Sequence, residues 1–148
     1  MTNPHIEDFD INHVDSIFEI ETASNPFPWT KKVLISCIGG RYITRQLLVD
    51  DKAVGFYVGD LVIDEFTLME ICVHPKYQGK GFGQQLLSDF LHKAKENNVV
   101  ICHLEVRSKN IAAQMLYMKN NFIQVSRRTG YYPAKIGYED AIVMSAYL

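Results

Sequence analysis

One stretch restricts this chain more than any other: Leu68-Met69-Glu70-Ile71-Cys72-Val73-His74-Pro75-Lys76-Tyr77-Gln78-Gly79-Lys80-Gly81-Phe82-Gly83-Gln84. It reads as a buried strand, a short turn, three alternating glycines and then a helix starting at Gln84-Gln85-Leu86-Leu87. Glycines so placed leave backbone N–H groups uncovered at a helix N-terminus, where the positive end of the dipole favours an anion such as a pyrophosphate. Lys80 adds positive charge beside them. Spacing separates the phosphate-binding patterns. A P-loop needs Gly-Lys-Ser/Thr after its spacer, and Gly83 is followed by Gln-Gln-Leu. A dinucleotide fingerprint, G-x-G-x-x-G, would need its third glycine at Gln84 or Leu86, although Glu105 does lie at a suitable distance downstream. What remains is Gln78-x-x-Gly81-x-Gly83, for which an ordinary glycine-rich turn is the plain alternative.

At 148 residues the chain is expected to form one domain, 1–148, burying about 70% of its unfolded surface. A content of 47% hydrophobic and 22% charged residues is that of a soluble globular protein. The net charge of −2 argues against bulk electrostatic binding of nucleic acid, and Arg127-Arg128, the one adjacent arginine pair, reads as a solvated strand end. The first ten residues have neither the basic region nor the apolar core of a signal peptide, and no apolar run reaches the length of a membrane span. The expectation is a cytoplasmic protein with no membrane partner. Cys37, Cys72 and Cys102, odd in number and unpaired in spacing, fit it as reduced, mostly buried thiols.

In chain order, Asn12 is expected to cap a helix running to about Thr22, with Asp15 at the reciprocal capping position and Val14, Ile17 and Phe18 toward the core. The prolines of Ser24-Asn25-Pro26-Phe27-Pro28-Trp29 break it. Thr30 caps a second helix from Lys31 to about Cys37, stopped by Gly39-Gly40. Tyr42–Val49 and Ala53–Val62 read as a hairpin turning at Asp50-Asp51-Lys52, and Phe66–Val73 as a third strand. The helix after the glycines puts Leu86, Leu87, Phe90, Leu91 and Ala94 on one face and Asp89, Lys93 and Glu96 opposite, ending at Asn97-Asn98. A strand Val99–Val106 follows, and strand–helix–strand in that order implies a right-handed parallel crossover. A helix Ile111–Asn120 and strands Phe122–Tyr131 and Asp140–Tyr147 complete a single α+β domain on a mixed sheet.

Along Ile101-Cys102-His103-Leu104-Glu105-Val106-Arg107, the period of two places His103, Glu105 and Arg107 on one face and Cys102, Leu104 and Val106 on the apolar one. Glu105 then lies near the carboxyl end of a strand beside the phosphate-bearing one, where open α/β sheets place ligands. A solvated strand carboxylate is the bland alternative. Asn110 and Tyr117, two helical turns apart, share a face that would present an amide and a phenol to a ligand. Equally, Ser108 or Asn110 is only an N-cap and Tyr117 a core tyrosine.

Leu104-Glu105-Val106-Arg107, Asn110-x-x-Ala113-x-x-Leu116-Tyr117 and Asn121-Phe122, at fitting distance from Gln78-x-x-Gly81-x-Gly83, resemble the signature of the GCN5-related N-acetyltransferases, the GNAT family. Within it the chain looks most like the bacterial ribosomal-protein-alanine N-acetyltransferases, through Phe27-Pro28-Trp29, Tyr131-Tyr132-Pro133 and Glu139-Asp140-Ala141-Ile142-Val143-Met144. The resemblance implies the GNAT acyl-CoA N-acyltransferase fold, acetyl-CoA as co-substrate, no metal, and the N-terminal segment of a ribosomal protein as partner. Carried over by position, Ile71, Cys72 and Val73 hold the pantetheine arm through backbone groups. Gln78, Gly79, Lys80, Gly81, Phe82, Gly83 and Gln84 surround the pyrophosphate, and Asn110 meets the pantetheine side.

The same resemblance implies direct transfer in a ternary complex, without an acyl-cysteine. Glu105 is then the general base through a water, Tyr117 the acid for the departing thiolate, and a backbone N–H near Val73 polarises the thioester carbonyl. Trp29, Tyr131 and Tyr132 are expected to form the slot for an extended N-terminal segment. Two positions depart from the family pattern: Asn121 stands where a glycine is usual before the phenylalanine, and Gly130 where a larger residue precedes the tyrosine pair. An α-amine of pKa about 7.7–8.0 loses its proton at pH 7 for about 1–1.4 kcal/mol, against about 4.6 kcal/mol for a lysine, so one carboxylate suits the α-amine. The rival readings are a GNAT enzyme for a small amine, such as a polyamine or amino acid, and a CoA-binding regulatory subunit without chemistry.

Overall fold

Asp50 and Asp51 both take positive φ, 51° and 65°, the conformation a tight hairpin turn demands and one that aspartate tolerates. They join β2 (Tyr42–Val49) to β3 (Lys52–Val62), and β4 (Glu65–Val73) returns antiparallel to β3. The computed structural model describes residues 3–148; Met1 and Thr2, which open the segment read for a leader, lie outside the described residues. After β4, helix α3 (Phe82–Glu96) crosses to β5 (Ile101–Arg107), which pairs parallel with β4 as the strand–helix–strand order requires. The other elements are β1 (His5–Asp8), α1 (Val14–Ser24), α2 (Lys31–Ser36), α4 (Ile111–Lys119), β6 (Ile123–Pro133) and β7 (Tyr138–Tyr147). The sheet runs β1-β2-β3-β4-β5-β7-β6.

Helices cover both faces. On one, Leu86, Leu87, Phe90 and Ala94 of α3 pack with Phe66, Leu104, Val106, Tyr117 and Phe122. On the other, Val14, Ile17 and Ile20 of α1 and Leu34 of α2 pack on Phe56, Val58 and Cys72. Two irregularities of β4 make room for a site between these layers. Pairing with β5 stops at Leu68↔Leu104, yet β4 continues to Val73 on β3 and β5 to Arg107 on β7, so the two strands part. At the very next residue the pairing with β3 also slips: Gly59 pairs with Leu68 and Val58 with Glu70, leaving Met69 as the extra residue of a β-bulge. The bulge inverts the alternation. Phe66 and Leu68 point to the α3 layer, but beyond Met69 it is Ile71 and Val73 that do so, and Cys72 turns to the α1 layer. Gly59 is obligatory there, because a Cβ would stand 2.3 Å from the Phe66 ring.

Several expectations need correction. Asp10, not Asn12, caps the first helical segment. A 3-10 turn Ile11–His13 precedes α1, and the His13 ring accepts from the Asp10 N–H (3.0 Å), closing a capping box that carries no Glu or Gln to announce it. Phe18 is only half-buried, while Ile20 and Glu21 take the buried positions. Helix α3 begins at Phe82, two residues before Gln84, because Gly81 in the left-handed region serves as its cap. Asp89 is not solvated but accepts two bonds from Arg45 (3.0 Å each) and one from the Tyr57 hydroxyl (2.7 Å). β1, short and mostly exposed, shows no apolar alternation to mark it. Asn121 sits at φ 71°, so asparagine does take the left-handed turn in place of glycine.

Candidate active site

Where β4 and β5 part, a cavity of about 500 Å³ opens, walled by the ends of both strands, by the loop between α1 and α2, by α4 and by the end of β6. Below it runs the glycine loop. A 3-10 turn, Pro75–Tyr77, leads to Gln78, whose Nε2 donates to the Val73 carbonyl (2.9 Å). Gly79 and Gly81 have φ of 77° and 81°, values that glycine alone adopts without strain. The first α3 bond runs from Gln85 N–H to the Gly81 carbonyl (3.1 Å), and Gly81 has no side chain to cap with. The N–H groups of Phe82, Gly83 and Gln84 therefore lack intrahelical partners at a positive helix end. A Cβ on Gly83 would meet only Leu116, at 3.8 Å. The Gln84 side chain is engaged by Asn120 and Ser88 (2.9 Å each), leaving its backbone for a ligand. Phe82 packs on the core and Lys80 is exposed. Donors, charge and absent side chains together fit a pyrophosphate.

Around the cavity the sequence-nominated residues largely converge. Ile71, Cys72, Val73, Gln78, Glu105, Asn110, Tyr117, Trp29 and Tyr132 all line it. Asn110 is also the α4 cap, its Oδ1 accepting from Ala113 N–H (3.2 Å). Tyr117 packs edge-on to Phe122 with ring centres 6.0 Å apart, and burial, then the Glu70 charge, raises its phenol pKa. Glu105 accepts from Arg128 Nη1 (3.2 and 3.3 Å), and that guanidinium stacks on Tyr131 at 3.9 Å. Arg127 and Arg128 are solvated as expected but lie in mid-strand rather than at a strand end: Arg128 touches the site only through Glu105, and Arg127 pairs with Asp140 (2.5 Å). Tyr131 faces Arg128 and does not line the cavity. Tyr132 does, with its pKa pushed up to about 12 by burial and by Glu105. Gly130, the other departure, takes φ 60° beside a break in the β6–β7 register, and its N–H donates to Asp140 (2.9 Å).

Three residues at the site were not nominated for it from the sequence. Arg107 lies between the rings of Phe27 and Tyr132, 4.7 Å from each, and donates to the Pro133 carbonyl (2.8 Å), tying the α1–α2 loop to β6. Glu21 of α1 is fully buried, and Glu70 faces it from β4 at the cavity wall. Burial, then the Glu21 charge, pushes the Glu70 pKa up to about 8; burial, then Glu70 and Glu21, raises that of the Cys72 thiol. A glutamate inside the apolar run Leu68–Val73 was the only outward sign of this pair.

Residues 43–124 match the acetyltransferase (GNAT) domain family. The chain is 38% identical over 128 residues, 86% of each sequence, to the ribosomal protein bS18-alanine N-acetyltransferase of Salmonella typhimurium. It is 36% identical over 140 residues, 95% of each, to that of Escherichia coli. The crystal structure of the ribosomal-protein-S18-alanine N-acetyltransferase from Escherichia coli superposes with a TM-score of 0.96 at 34% identity, covering 98% of this chain and 94% of that one.

Proposed function

The chain belongs to the GNAT acetyltransferase family, and from that footing we propose that it acetylates the N-terminal alanine α-amine of ribosomal protein bS18, the acceptor its relatives are named for. Acetyl-CoA supplies the activated acetyl thioester. The N–H groups of Phe82, Gly83 and Gln84, with Gly79, Lys80 and Gly81 keeping the approach clear, receive its pyrophosphate, and Gln78 braces the end of β4. The unpaired side of Ile71–Val73 offers backbone groups to the pantetheine arm, as a sheet edge does to an added strand, with Asn110 opposite. Glu105 accepts an amine proton through a water, and Tyr117, its phenol kept protonated by burial, supplies one to the leaving sulfur. Trp29 and Tyr132 flank the acceptor, and Tyr131 holds Arg128 against Glu105. Transfer written this way calls on no metal and no acyl-cysteine, and it is carried out by one domain, 1–148, in the cytoplasm, where its acceptor is made.

The observation that carries this reading is that Glu105 and Tyr117, from a strand and a helix, border one cavity above a helix whose glycine cap offers no side-chain acceptor to its first N–H groups. The test is mass spectrometry after incubation with acetyl-CoA and three acceptors: an alanine-starting bS18 peptide, a blocked-terminus lysine peptide and a polyamine. The expected result is one acetyl group on the α-amine of the first. Because Glu70 lines the cavity with the buried Glu21 behind it, the polyamine is a fair competitor, and transfer to it alone would move the assignment to a small-amine enzyme.

A further inference from the structure

Among the described residues Glu21 accepts from Asn25 Nδ2 (3.1 Å) and the Trp29 N–H (3.0 Å) at Oε2 and from the Cys72 thiol (3.5 Å) at Oε1, and the Glu70 carboxyl lies against it. Accepting on both oxygens is the pattern of an ionised carboxylate. Glu70 approaches from β4, with Oε2 3.4 Å from the same Asn25 amide and Oε1 accepting from the Ile71 N–H (3.2 Å). Burial, then the neighbouring Glu21 carboxyl, favours the protonated form of Glu70. Among the described residues neither forms an ion pair with a lysine, arginine or histidine. Arg107, the one cationic residue lining the cavity, is committed to Glu139, to Pro133 and to two aromatic rings. The other groups facing Glu70 are the Cys72 thiol and the Tyr117 and Tyr132 phenols, all raised, and Glu105, which pairs with Arg128. A buried charge without a counter-ion is costly, and of this pair Glu70 lies on the wall of the acceptor cavity with Glu21 buried behind it.

We propose that the Glu21–Glu70 pair receives the acceptor's α-ammonium as its counter-ion, and that Glu70 takes the first proton this nitrogen loses. The proposal rests on the α-amine reading above. The protons balance. On binding R–NH3+, the pair gives its shared proton to solvent. Glu70 then takes one N–H proton, the electron pair staying on nitrogen, and this restores the Glu70–Glu21 proton. As the N–C bond forms and the C–S bond breaks, the second N–H proton leaves through the Glu105 water and Tyr117 supplies the proton of the CoA thiol, being reprotonated in turn. The sum is R–NH3+ plus acetyl-CoA giving the amide, CoA–SH and one solvated proton. Glu70 and Glu105 thus divide two deprotonations, and a Glu70 with pKa about 8 is matched to an α-ammonium of about 7.7–8.0.

The test is the dissociation constant of an alanine-starting bS18 peptide, with CoA present, from pH 6 to 10, beside its des-amino counterpart. A complex that keeps one proton between ammonium and pair binds about tenfold tighter per pH unit up to about pH 8 and about tenfold weaker per unit above it. The des-amino peptide should show neither slope. In Glu70→Gln no proton need be displaced, so affinity should be flat below about pH 8 and fall above. A wild-type profile that rises and then stays level above pH 8 would mean that the neutral amine is bound, and would overturn the proposal without any variant. A variant that keeps the wild-type profile, or weakens both peptides alike at every pH, also counts against it. A peptide that neither binds nor is acetylated at any pH removes the α-amine reading itself; one that is acetylated yet binds with a level profile removes only this inference.

Discussion

At the scale of single residues, Tyr117 and Glu70 show why exposure and chemistry must be read together. Tyr117 is buried against Phe122, as a core tyrosine would be, but burial and neighbouring charge are what act on its phenol, with no hydrogen bond among the causes. The ring packs in the core while the hydroxyl, its pKa raised by burial, keeps its proton at neutral pH and is available as an acid. Tyr117→Phe should therefore lower kcat by about 10²-fold or more while leaving melting temperature and acetyl-CoA affinity close to wild type. Steady-state kinetics beside thermal unfolding checks this, and a kcat within about threefold would return Tyr117 to the core. Glu105 and Tyr117 were legible because one lies on a clean period-two strand and the other at helical spacing from Asn110. Glu21 and Glu70 were not, because they meet only after Met69 shifts the β4 alternation by one residue.

The elements that build the site are the regular ones interrupted. β4 was legible as a strand, since Phe66, Leu68, Ile71 and Val73 are apolar, but its bulge and its separation from β5 depend on partners distant in sequence. The start of α3 was misread by two residues for a related reason: Gly81 acts as a cap through its backbone angle, which no side chain announces. That angle makes a prediction. Gly81→Ala forces an L-residue to φ 81°, at a cost of about 1–2 kcal/mol, and should weaken acetyl-CoA binding about tenfold as the loop relaxes away from its donors. Gly83→Ala, in ordinary helical space with only Leu116 at 3.8 Å, should cost much less. Calorimetric titration with acetyl-CoA separates them, and equal losses would show that steric access rather than backbone angle governs the loop.

For the whole molecule, the site sets the direction in which stability depends on pH. The hairpin, the third strand and the parallel crossover followed from the apolar periodicities, whereas the insertion of β7 between β5 and β6 and the pairing of β1 with β2 at a mostly exposed edge did not. The ionic terms were not readable, since Asp89 with Arg45 and Glu70 with Glu21 join residues on separate elements. The two act oppositely. Burial pulls the Asp89 pKa up, but the bonds from Arg45 and Tyr57 outweigh it and leave it lowered, so its stabilisation is present above the ordinary carboxyl range and is lost as pH falls through the lowered value. Glu70 is raised from 4.5 to about 8, so the native state holds a proton the unfolded chain has released. Its contribution is complete below pH 4.5 and drains away as pH climbs to about 8. At about 1.36 kcal/mol per pKa unit, the loss is on the order of a few kcal/mol by pH 8. Glu70→Gln keeps a neutral donor facing Glu21 and has no charge to uncover. Its melting temperature should match wild type near pH 4.5 and exceed it by roughly 5 °C or more at pH 8, at about 2–4 °C per kcal/mol for a chain of this size. Thermal unfolding of both proteins across that range decides it: parallel curves would mean that Glu70 is ionised well below pH 8 in the folded protein, whereas curves that diverge with rising pH would show an acceptor site maintained at the expense of stability.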